Sequence, residues 1–206
     1  DQVVVATDDP RIVTAVEHLP VGIHLDTERQ YRCGSDRVAA AAHNWSGDVV
    51  VNVQGDEALV DRASLEAAMS AMGDNDLGTV AAALPHPGLL DDPDAVKVVV
   101  DLKGRAVDFS RSPLPGKNLL HLGVYCFSRT SLERFAALPP SPREIAERLE
   151  QLRAKEAGMT IGVGLVKSHH VAVNRPGDIE DLELFCARIP RKRRSAPVGR
   201  FVGGKN

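Results

Sequence analysis

Residues 49–57 read Val-Val-Val-Asn-Val-Gln-Gly-Asp-Glu. The first part of this stretch is short, apolar and β-branched, which is typical of a strand buried in a parallel sheet. Polar residues follow where the strand ends. Because ligands in open α/β sheets bind just beyond the carboxyl ends of the strands, Gln54, Gly55 and Asp56 are candidate site residues. The stretch therefore predicts both a buried sheet and the edge at which a ligand binds.

Strand-like and helix-like segments alternate on both sides of this stretch. β-branched runs predict strands at 3–6, 22–25, 49–53, 79–84, 122–127, 161–166 and 170–173, with a hairpin at 96–100 and 106–109. Apolar spacing and capping residues predict helices at 10–18, 36–44, 64–72, 142–157 and 179–187. This alternation predicts an α/β fold, in which helices flank a Rossmann-like, mostly parallel sheet with a small β-hairpin subdomain.

Composition and charge divide the chain into two parts. The 206 residues are 43% apolar and only 4% aromatic, which suits one domain with a core of Val, Ala and Leu. The net charge is −3, but residues 188–206 hold seven basic groups and no acid, so residues 1–187 carry −10. We expect an acidic domain at 1–187 and a basic, disordered tail at 188–206. Since Phe201 is its only aromatic residue, we do not expect the tail to bind nucleic acid.

Cysteine usage and hydropathy indicate the compartment. Cys33, Cys126 and Cys186 are far apart and form no CxxC pair, which fits a reducing cytosol. No apolar run approaches the ~20 residues that a membrane span needs, and no signal-like leader opens the chain. The sequence therefore predicts a cytoplasmic protein without a membrane span.

A second candidate site lies at the start of the helix predicted at 36–44. Gly34 and Ser35 precede this helix, and Arg37 lies in its first turn. Free backbone N–H groups at a helix start suit a phosphate or a base edge, and an arginine adds a fork of donors. In the same way, the carboxylate of Asp56 suits a phosphate-bound Mg²⁺. When each motif is taken alone, an ordinary helix cap is the preferred explanation.

Three other segments carry polar residues, each with two interpretations. Arg111 and His121 either face a cleft or are a surface arginine and a satisfied core histidine. Residues 150–153 read Glu-Gln-Leu-Arg within a predicted helix, where such a group is usually a solvated face. His169 and His170 are a weak metal signal, because adjacent residues on a strand point to opposite faces.

The order of the motifs carries more information than any one of them. In sequence come Val-Ala-Thr-Asp-Asp at 4–8, Cys-Gly-Ser-Asp-Arg at 33–37, Asn-Val-Gln-Gly-Asp-Glu at 52–57, Asp-Ala-Val-Lys-Val-Val at 94–99, Phe-Ser-Arg-Ser-Pro at 109–113, His-Leu-Gly-Val-Tyr at 121–125, Ser-Pro at 141–142 and Leu-Glu-Gln-Leu-Arg at 149–153. This series resembles the 3-deoxy-D-manno-octulosonate cytidylyltransferases, also called CMP-Kdo synthetases. The resemblance spans residues 2–187, and the motifs at 54–57 and 149–153 together are quite specific.

The resemblance implies a nucleotide-diphospho-sugar transferase-like fold and a reaction of CTP with the sugar acid Kdo. The products are CMP-Kdo and pyrophosphate, for lipopolysaccharide assembly. It also implies Mg²⁺ as cofactor and a homodimer, for which the hairpin and loop at 96–120 are a plausible contact. The implied site residues are Asp56 and Arg111 for catalysis; Asp56 and Asn174 for the metal; Gly34, Ser35, Arg37, Gln54 and Gly55 for the nucleotide; and His121, Tyr125, Glu150 and Gln151, together with Arg111, for the sugar.

Three departures from the family pattern concern turnover more than fold. The family's first strand and its Gly- and basic-rich phosphate loop have no counterpart, so we expect roughly 40 residues to be absent before Asp1. Asn174 stands where the family has a second metal carboxylate, so we expect weaker Mg²⁺ binding. The loop at 112–120 is shorter than usual, and Ala58 stands where the family has proline.

Two other functions are compatible with these residues. A non-catalytic sugar- or nucleotide-binding protein would keep the pocket residues without turning over a substrate. A nucleotidyltransferase for another sugar acid, such as an amino-substituted Kdo or a sialic acid, would use the short loop to reshape the sugar pocket.

Overall fold

Strands and helices alternate along residues 2–167 and 172–188, which this computed structural model describes. The strands are β1 (Val4–Thr7), β2 (Gly22–Leu25), β3 (Val49–Val53), β4 (Leu77–Ala83), β5 (Lys97–Val100), β6 (Ala106–Ser110), β7 (Leu119–Ser128) and β8 (Ile161–Val166). The helices are α1 (Pro10–Val16), α2 (Gly34–Ala42), α3 (Arg62–Met72), α4 (Arg129–Ala137), α5 (Pro142–Glu147), α6 (Gln151–Glu156) and α7 (Pro176–Arg188). The α/β class predicted from the sequence is confirmed.

The long strand β7 organises the central sheet. It pairs antiparallel with β4, and also with β3 and β5, while β8 pairs parallel with β4. Strands β3, β4, β5 and β8 therefore run in one direction, as predicted, but β7 lies between β3 and β4. This insertion could not be predicted from the sequence, because a buried central strand has the same apolar pattern in either direction. Strands β1 and β2 form a separate parallel pair.

The predicted hairpin is present as β5 and β6. Its two strands pair antiparallel, and β5 continues the central sheet by pairing with β7. Asp101 organises the turn, since its side chain accepts hydrogen bonds from the backbone N–H groups of Lys103 and Arg105. The hairpin is thus an extension of the main sheet rather than a sheet of its own.

Helix α3 packs unusually close to the sheet. A Cβ atom at Gly162 on β8 would overlap the backbone carbonyl of Ala71 on α3, so only glycine fits at this position. The strands beneath are fully buried at Leu77, Val80 and Val124. The sheet therefore has an apolar interior in this region.

The prediction of one continuous helix at 142–157 is wrong. Its start is confirmed, because Ser141 and Glu144 form a reciprocal capping box. However, α5 ends at Glu147, and Arg148 takes a left-handed conformation (φ 54°, ψ 47°) before α6 begins. The turn buries Leu149 and sets the direction of α6. An arginine in this conformation is uncommon, so the sequence gives little warning of the break.

Some predictions fall on parts of the chain that the structure does not describe. His169, His170 and the first half of the strand predicted at 170–173 lie outside the described residues, as does the predicted tail from residue 189 onward. Within the described residues, no helix combines the length and the apolar character that crossing a membrane requires.

Candidate active site

A cleft of about 1010 Å³ opens where β3 ends. Its wall is built from the turn after β3, the start of α2, the middle of β7, the α5–α6 turn and the segment before α7. Nine of the site residues predicted from the sequence line it: Gly34, Gln54, Asp56, Arg111, His121, Tyr125, Glu150, Gln151 and Asn174. Motifs that are far apart in the chain therefore meet at one edge of the sheet, as the α/β argument predicted.

The other three predicted residues do not line the cleft. Ser35 is buried just behind its wall. Gly55 is exposed in the turn after β3. Arg37 pairs with Asp8 at 2.8 Å, and its guanidinium carbon lies 5.6 Å from the centre of the Tyr31 ring. The position of Arg37 in the first turn of α2 thus directs its side chain toward the end of β1.

Glu150 is the centre of a hydrogen-bond network. Its carboxylate accepts hydrogen bonds from the backbone N–H of Ser35 (3.0 Å), the hydroxyl of Ser35 (2.8 Å) and the side-chain amide of Gln54 (3.0 Å). The amide of Asn52 in turn donates to the Ser35 hydroxyl (3.0 Å). These bonds join α2, the end of β3 and the start of α6 into one unit.

Gln54 is held in place by packing as well as by hydrogen bonds. A Cβ atom at Gly34 would lie 2.6 Å from the side-chain oxygen of Gln54, so the amide lies directly against the backbone of α2. A side chain at position 34 would displace the amide of Gln54 from this place. The Gly34-Ser35 motif therefore does more than cap α2, because it supports the polar floor of the cleft.

Tyr125 and Gln151 form a buried pair beside this network. The phenol of Tyr125 donates to the side-chain carbonyl of Gln151 at 3.0 Å, and both residues are buried. Burial, followed by the negative charge of Glu150, raises the pKa of Tyr125 well above its usual value. Tyr125 therefore stays neutral and acts as a donor that orients Gln151.

His121 is a buried, neutral imidazole. Its Nε2 lies 2.9 Å from the hydroxyl of Thr79, and the edge of its ring packs against Phe109, with ring centres 5.1 Å apart. Burial lowers the pKa of His121 to about 4, although the nearby carboxylate of Glu57 acts in the opposite direction. His121 is thus a core histidine whose Nε2 has a hydrogen-bond partner, and it also lines the cleft. The interpretations of His121 as a core residue and as a cleft residue are therefore compatible.

Backbone contacts bring Asn174 toward Asp56. The N–H of Val173 donates to the carbonyl of Asp56 at 2.9 Å, and Ala172 forms a bridge with Glu57. Desolvation raises the pKa of the Asp56 carboxyl, and the charge of Glu57 adds to this effect, while a backbone hydrogen bond lowers it. The two predicted metal positions therefore line the same cleft.

Arg111 is anchored by backbone carbonyls. Its Nε donates to the carbonyl of Glu147 (2.7 Å), and one terminal nitrogen donates to the carbonyl of Pro93 (2.8 Å). Its own carbonyl accepts a hydrogen bond from the ammonium of Lys97 (2.7 Å). The partners of the guanidinium in these bonds are neutral carbonyls and not carboxylates. Arg111 therefore presents a fixed positive charge at the cleft.

Known proteins are similar to this chain in sequence. The family model described as cytidylyltransferase matches residues 1–161. The 3-deoxy-manno-octulosonate cytidylyltransferase of Chlorobium phaeobacteroides (strain BS1) is 42% identical over 93% of this chain and 81% of its own length. That of Geobacter sulfurreducens is 38% identical, over 87% of this chain and 80% of its own length. The chain belongs to the 3-deoxy-manno-octulosonate cytidylyltransferase family. The family assignment made from motif order is confirmed.

Solved structures agree with this assignment. The structure of CMP:2-keto-3-deoxy-manno-octonic acid synthetase complexed with CTP is similar, with a TM-score of 0.81 and 32% identity, covering 91% of this chain and 81% of that one. HddC from Yersinia pseudotuberculosis has a TM-score of 0.60 at 14% identity, covering 86% and 74%. The second likeness shows the fold alone, and together they confirm the nucleotide-diphospho-sugar transferase-like architecture.

The interpretation of residues 150–153 as a solvated face is wrong. The side chain of Arg153 is fully buried and pairs with Asp36 (2.7 Å) and Glu144 (2.5 Å). Its guanidinium carbon lies 4.7 Å from the centre of the Phe135 ring. These contacts connect α6 to α2 and α5 and so hold the network around Glu150 in position.

Sequence reasoning also missed the supporting roles of Thr79 and Lys97. Both are fully buried. The ammonium of Lys97 donates to the carbonyls of Asp92 (2.6 Å) and Arg111 (2.7 Å), and burial lowers its pKa. Its position inside an apolar β-branched run was the available signal, since a lysine there needs buried acceptors. Thr79 had no comparable signal, because threonine is common in strands.

Proposed function

We propose that this chain catalyses transfer of CMP from CTP to Kdo, forming CMP-Kdo and pyrophosphate for lipopolysaccharide assembly. One observation carries the proposal: the amide of Gln54 donates to the carboxylate of Glu150 across 96 residues of sequence. This bond joins the family's two most specific motifs in the wall of one cleft. The two relatives compared above are 3-deoxy-manno-octulosonate cytidylyltransferases, and their substrates are therefore the ones we assign.

The nucleotide end of the cleft is assigned to the start of α2 and the turn after β3. Gly34 and Gln54 line it, Ser35 supports it from behind, and Gly55 leaves room for a close approach. Amide groups and backbone N–H groups at such a place suit the edge of a cytosine base and its ribose. Since Arg37 pairs with Asp8, we do not include it among the groups that touch the nucleotide.

The sugar end is assigned to Arg111, His121 and the α6 start. Kdo carries one carboxylate and several hydroxyl groups, so its site needs a cation together with neutral and anionic hydrogen-bonding groups. Arg111 supplies the cation, while Glu150 and Gln151 supply acceptors and an amide. Tyr125 orients Gln151 through its hydrogen bond. The cleft contains each type of group that this substrate requires.

The reaction forms a bond between the anomeric oxygen of the sugar and the α-phosphorus of CTP, and breaks the bond to pyrophosphate. The residues of this chain contribute chiefly by holding both substrates at one edge of the sheet, which lowers the entropic part of the barrier. Arg111 provides a fixed positive charge that requires no rearrangement during the reaction.

Mg²⁺ is the cofactor we propose, held by Asp56 and Asn174. Mg²⁺ prefers oxygen ligands and usually binds through one or two protein groups together with waters and substrate phosphates. A carboxylate and an amide oxygen lining the same cleft fit this pattern. The described residues contain no cluster of three or more His, Cys, Asp or Glu suited to a metal. When bound, Mg²⁺ neutralises charge on the phosphates of the nucleotide.

We further propose a cytoplasmic homodimer. Its contact is assigned to the hairpin and loop at 96–120, where Leu102 and Val107 are exposed apolar residues. The three cysteines are free, which suits a reducing compartment. The molecular mass in solution, measured by light scattering, tests the dimer.

The function is tested by measuring pyrophosphate release from CTP and Kdo with Mg²⁺. Release that requires both substrates supports the proposal. Calorimetry provides the second measurement: binding of Kdo without any binding of CTP would instead indicate a sugar-binding protein. A panel of sugar acids separates Kdo from the amino-substituted and sialic alternatives, and preference for one of those would overturn the substrate assignment.

A further inference from the structure

A hydroxyl group links the two strands beneath His121. Thr79 lies on β4, and its hydroxyl is 2.9 Å from Nε2 of His121 and 2.8 Å from the carbonyl oxygen of Val124, both on β7. The pairing of the strands shifts here, because Thr79 opposes Tyr125 while the next residue, Val80, opposes Leu122. Gly123 and Val124 therefore have no counterpart on β4, and the Thr79 hydroxyl provides the donor that the Val124 carbonyl lacks from that strand.

The number of protons determines the tautomer of His121. A threonine hydroxyl has one proton, and the Val124 carbonyl can only accept. The Thr79 proton is therefore directed at Val124, so Nε2 of His121 must donate its own proton to the Thr79 oxygen. In a neutral imidazole the other nitrogen, Nδ1, is then an acceptor. No hydrogen bond within the described residues engages Nδ1, and His121 lines the cleft.

We propose that Thr79 is a positioning residue that fixes His121 as the Nε2–H tautomer, so that Nδ1 accepts a hydrogen bond from a hydroxyl group of the sugar. This inference rests on the proposed function and adds to it the orientation of the sugar. A lone pair repels a carboxylate but attracts a hydroxyl. The sugar's carboxylate is therefore directed to the cation of Arg111, and one of its hydroxyls to His121.

The surroundings of His121 favour the neutral ring. Its neighbours on three sides are Phe109, Tyr125 and Thr79, and the charged group that acts on it is Glu57. Burial outweighs the attraction of Glu57 and lowers the pKa of His121 to about 4. A cationic His121, with a donor at Nδ1, is therefore not populated at neutral pH, and the tautomer argument holds there.

The tautomer is measured directly by ¹⁵N NMR of the imidazole in the ligand-free protein. We expect the Nε2–H form in the unmodified chain and in Thr79→Ser, which retains the hydroxyl. Thr79→Val has nearly the same shape without the hydroxyl and should give a mixture of tautomers. An Nδ1–H ring in the unmodified chain would overturn the proposal without any variant being needed.

Kinetics test the consequence for the sugar. Thr79→Val should raise the KM for Kdo about tenfold, the usual effect of losing one well-placed hydrogen bond, and leave the KM for CTP unchanged. Thr79→Ser should restore the original value. Equal changes for both substrates would indicate a general structural effect and would refute the role. Absence of turnover in the unmodified chain would refute the proposed function, whereas the NMR result decides the tautomer independently.

Discussion

Ser35 and Glu150 are 115 residues apart in sequence, yet two hydrogen bonds join them, one from the Ser35 backbone N–H (3.0 Å) and one from its hydroxyl (2.8 Å). Ser35 lies at the start of α2, and Glu150 directly precedes α6. The carboxylate thus satisfies a backbone N–H at a helix start, where negative charge is favoured. The position of Glu150 in the cleft depends on this helix start. The helix start in turn depends on Glu150 to accept its hydrogen bonds.

We expect Ser35→Ala and Glu150→Gln to have non-additive effects on stability. In Glu150→Gln, one of the accepting oxygens becomes an NH₂ group that faces donors. The double variant should therefore differ from the sum of the single variants by about 1–2 kcal/mol in urea denaturation. Glu66→Gln on the exposed face of α3 is the matched control, expected to change stability by less than about 0.5 kcal/mol. Additive effects would show that the two residues are not coupled.

Asn174→Asp should strengthen Mg²⁺ binding. The substitution adds a negative charge at a position that lines the same cleft as Asp56, and ligand charge is a main determinant of affinity for hard cations. We expect the Mg²⁺ concentration for half-maximal pyrophosphate release to fall about tenfold, equivalent to about 1.4 kcal/mol. Asn44→Asp, an exposed site after α2, makes the same charge change elsewhere and should have no effect. An equal response of both variants would argue against a metal role for position 174.

Arg153→Met should destabilise the protein strongly. The substitution leaves the carboxylate of Glu144 buried without its cation and leaves Asp36 paired with Arg32 alone. Removing one partner of such a buried group costs about 3–5 kcal/mol. The free energy of unfolding in urea measures this cost. Arg62→Met, which removes an exposed ion pair with Glu66, should cost less than about 1 kcal/mol. Similar losses for the two variants would contradict the importance of burial.

Acid should destabilise the fold partly through His121. Its pKa in the folded state is about 4, while in the unfolded chain it returns to about 6.5, so the unfolded state binds more protons between these values. The contribution of His121 to the free energy of unfolding is fully present above pH 6.5. It falls by about 3 kcal/mol as the pH decreases to about 4. His121→Asn should flatten the dependence of the unfolding free energy on pH over this range. An unchanged slope in His121→Asn would contradict this role of His121.

The sequence predicted the fold most accurately where local pattern and burial agree. The strands at 22–25, 49–53 and 161–166 have the predicted bounds. The break at Arg148 was missed because it depends on burying Leu149 and Arg153 against other elements, and a local pattern does not contain those contacts. The same cause explains the interpretation of Arg153 as solvated, since Asp36, its partner, is 117 residues away.

The candidate site was predicted with similar limits. Motif order placed nine residues that do line one cleft. Spacing along α2 could not show that Arg37 pairs with Asp8 instead, because that contact depends on where β1 lies. Thr79 and Lys97 were missed since each acts through a neighbour, Thr79 on His121 and Lys97 on the backbone of Arg111.

The contact between Val173 and Asp56 separates the shape of the proposed metal site from its charge. It joins a backbone N–H to a backbone carbonyl, so it forms whatever side chain occupies position 174. An amide or a carboxylate at 174 is therefore delivered to the same place. In the proposed metal site, position 174 is thus a point at which evolution can adjust metal affinity by one charge without rebuilding the cleft.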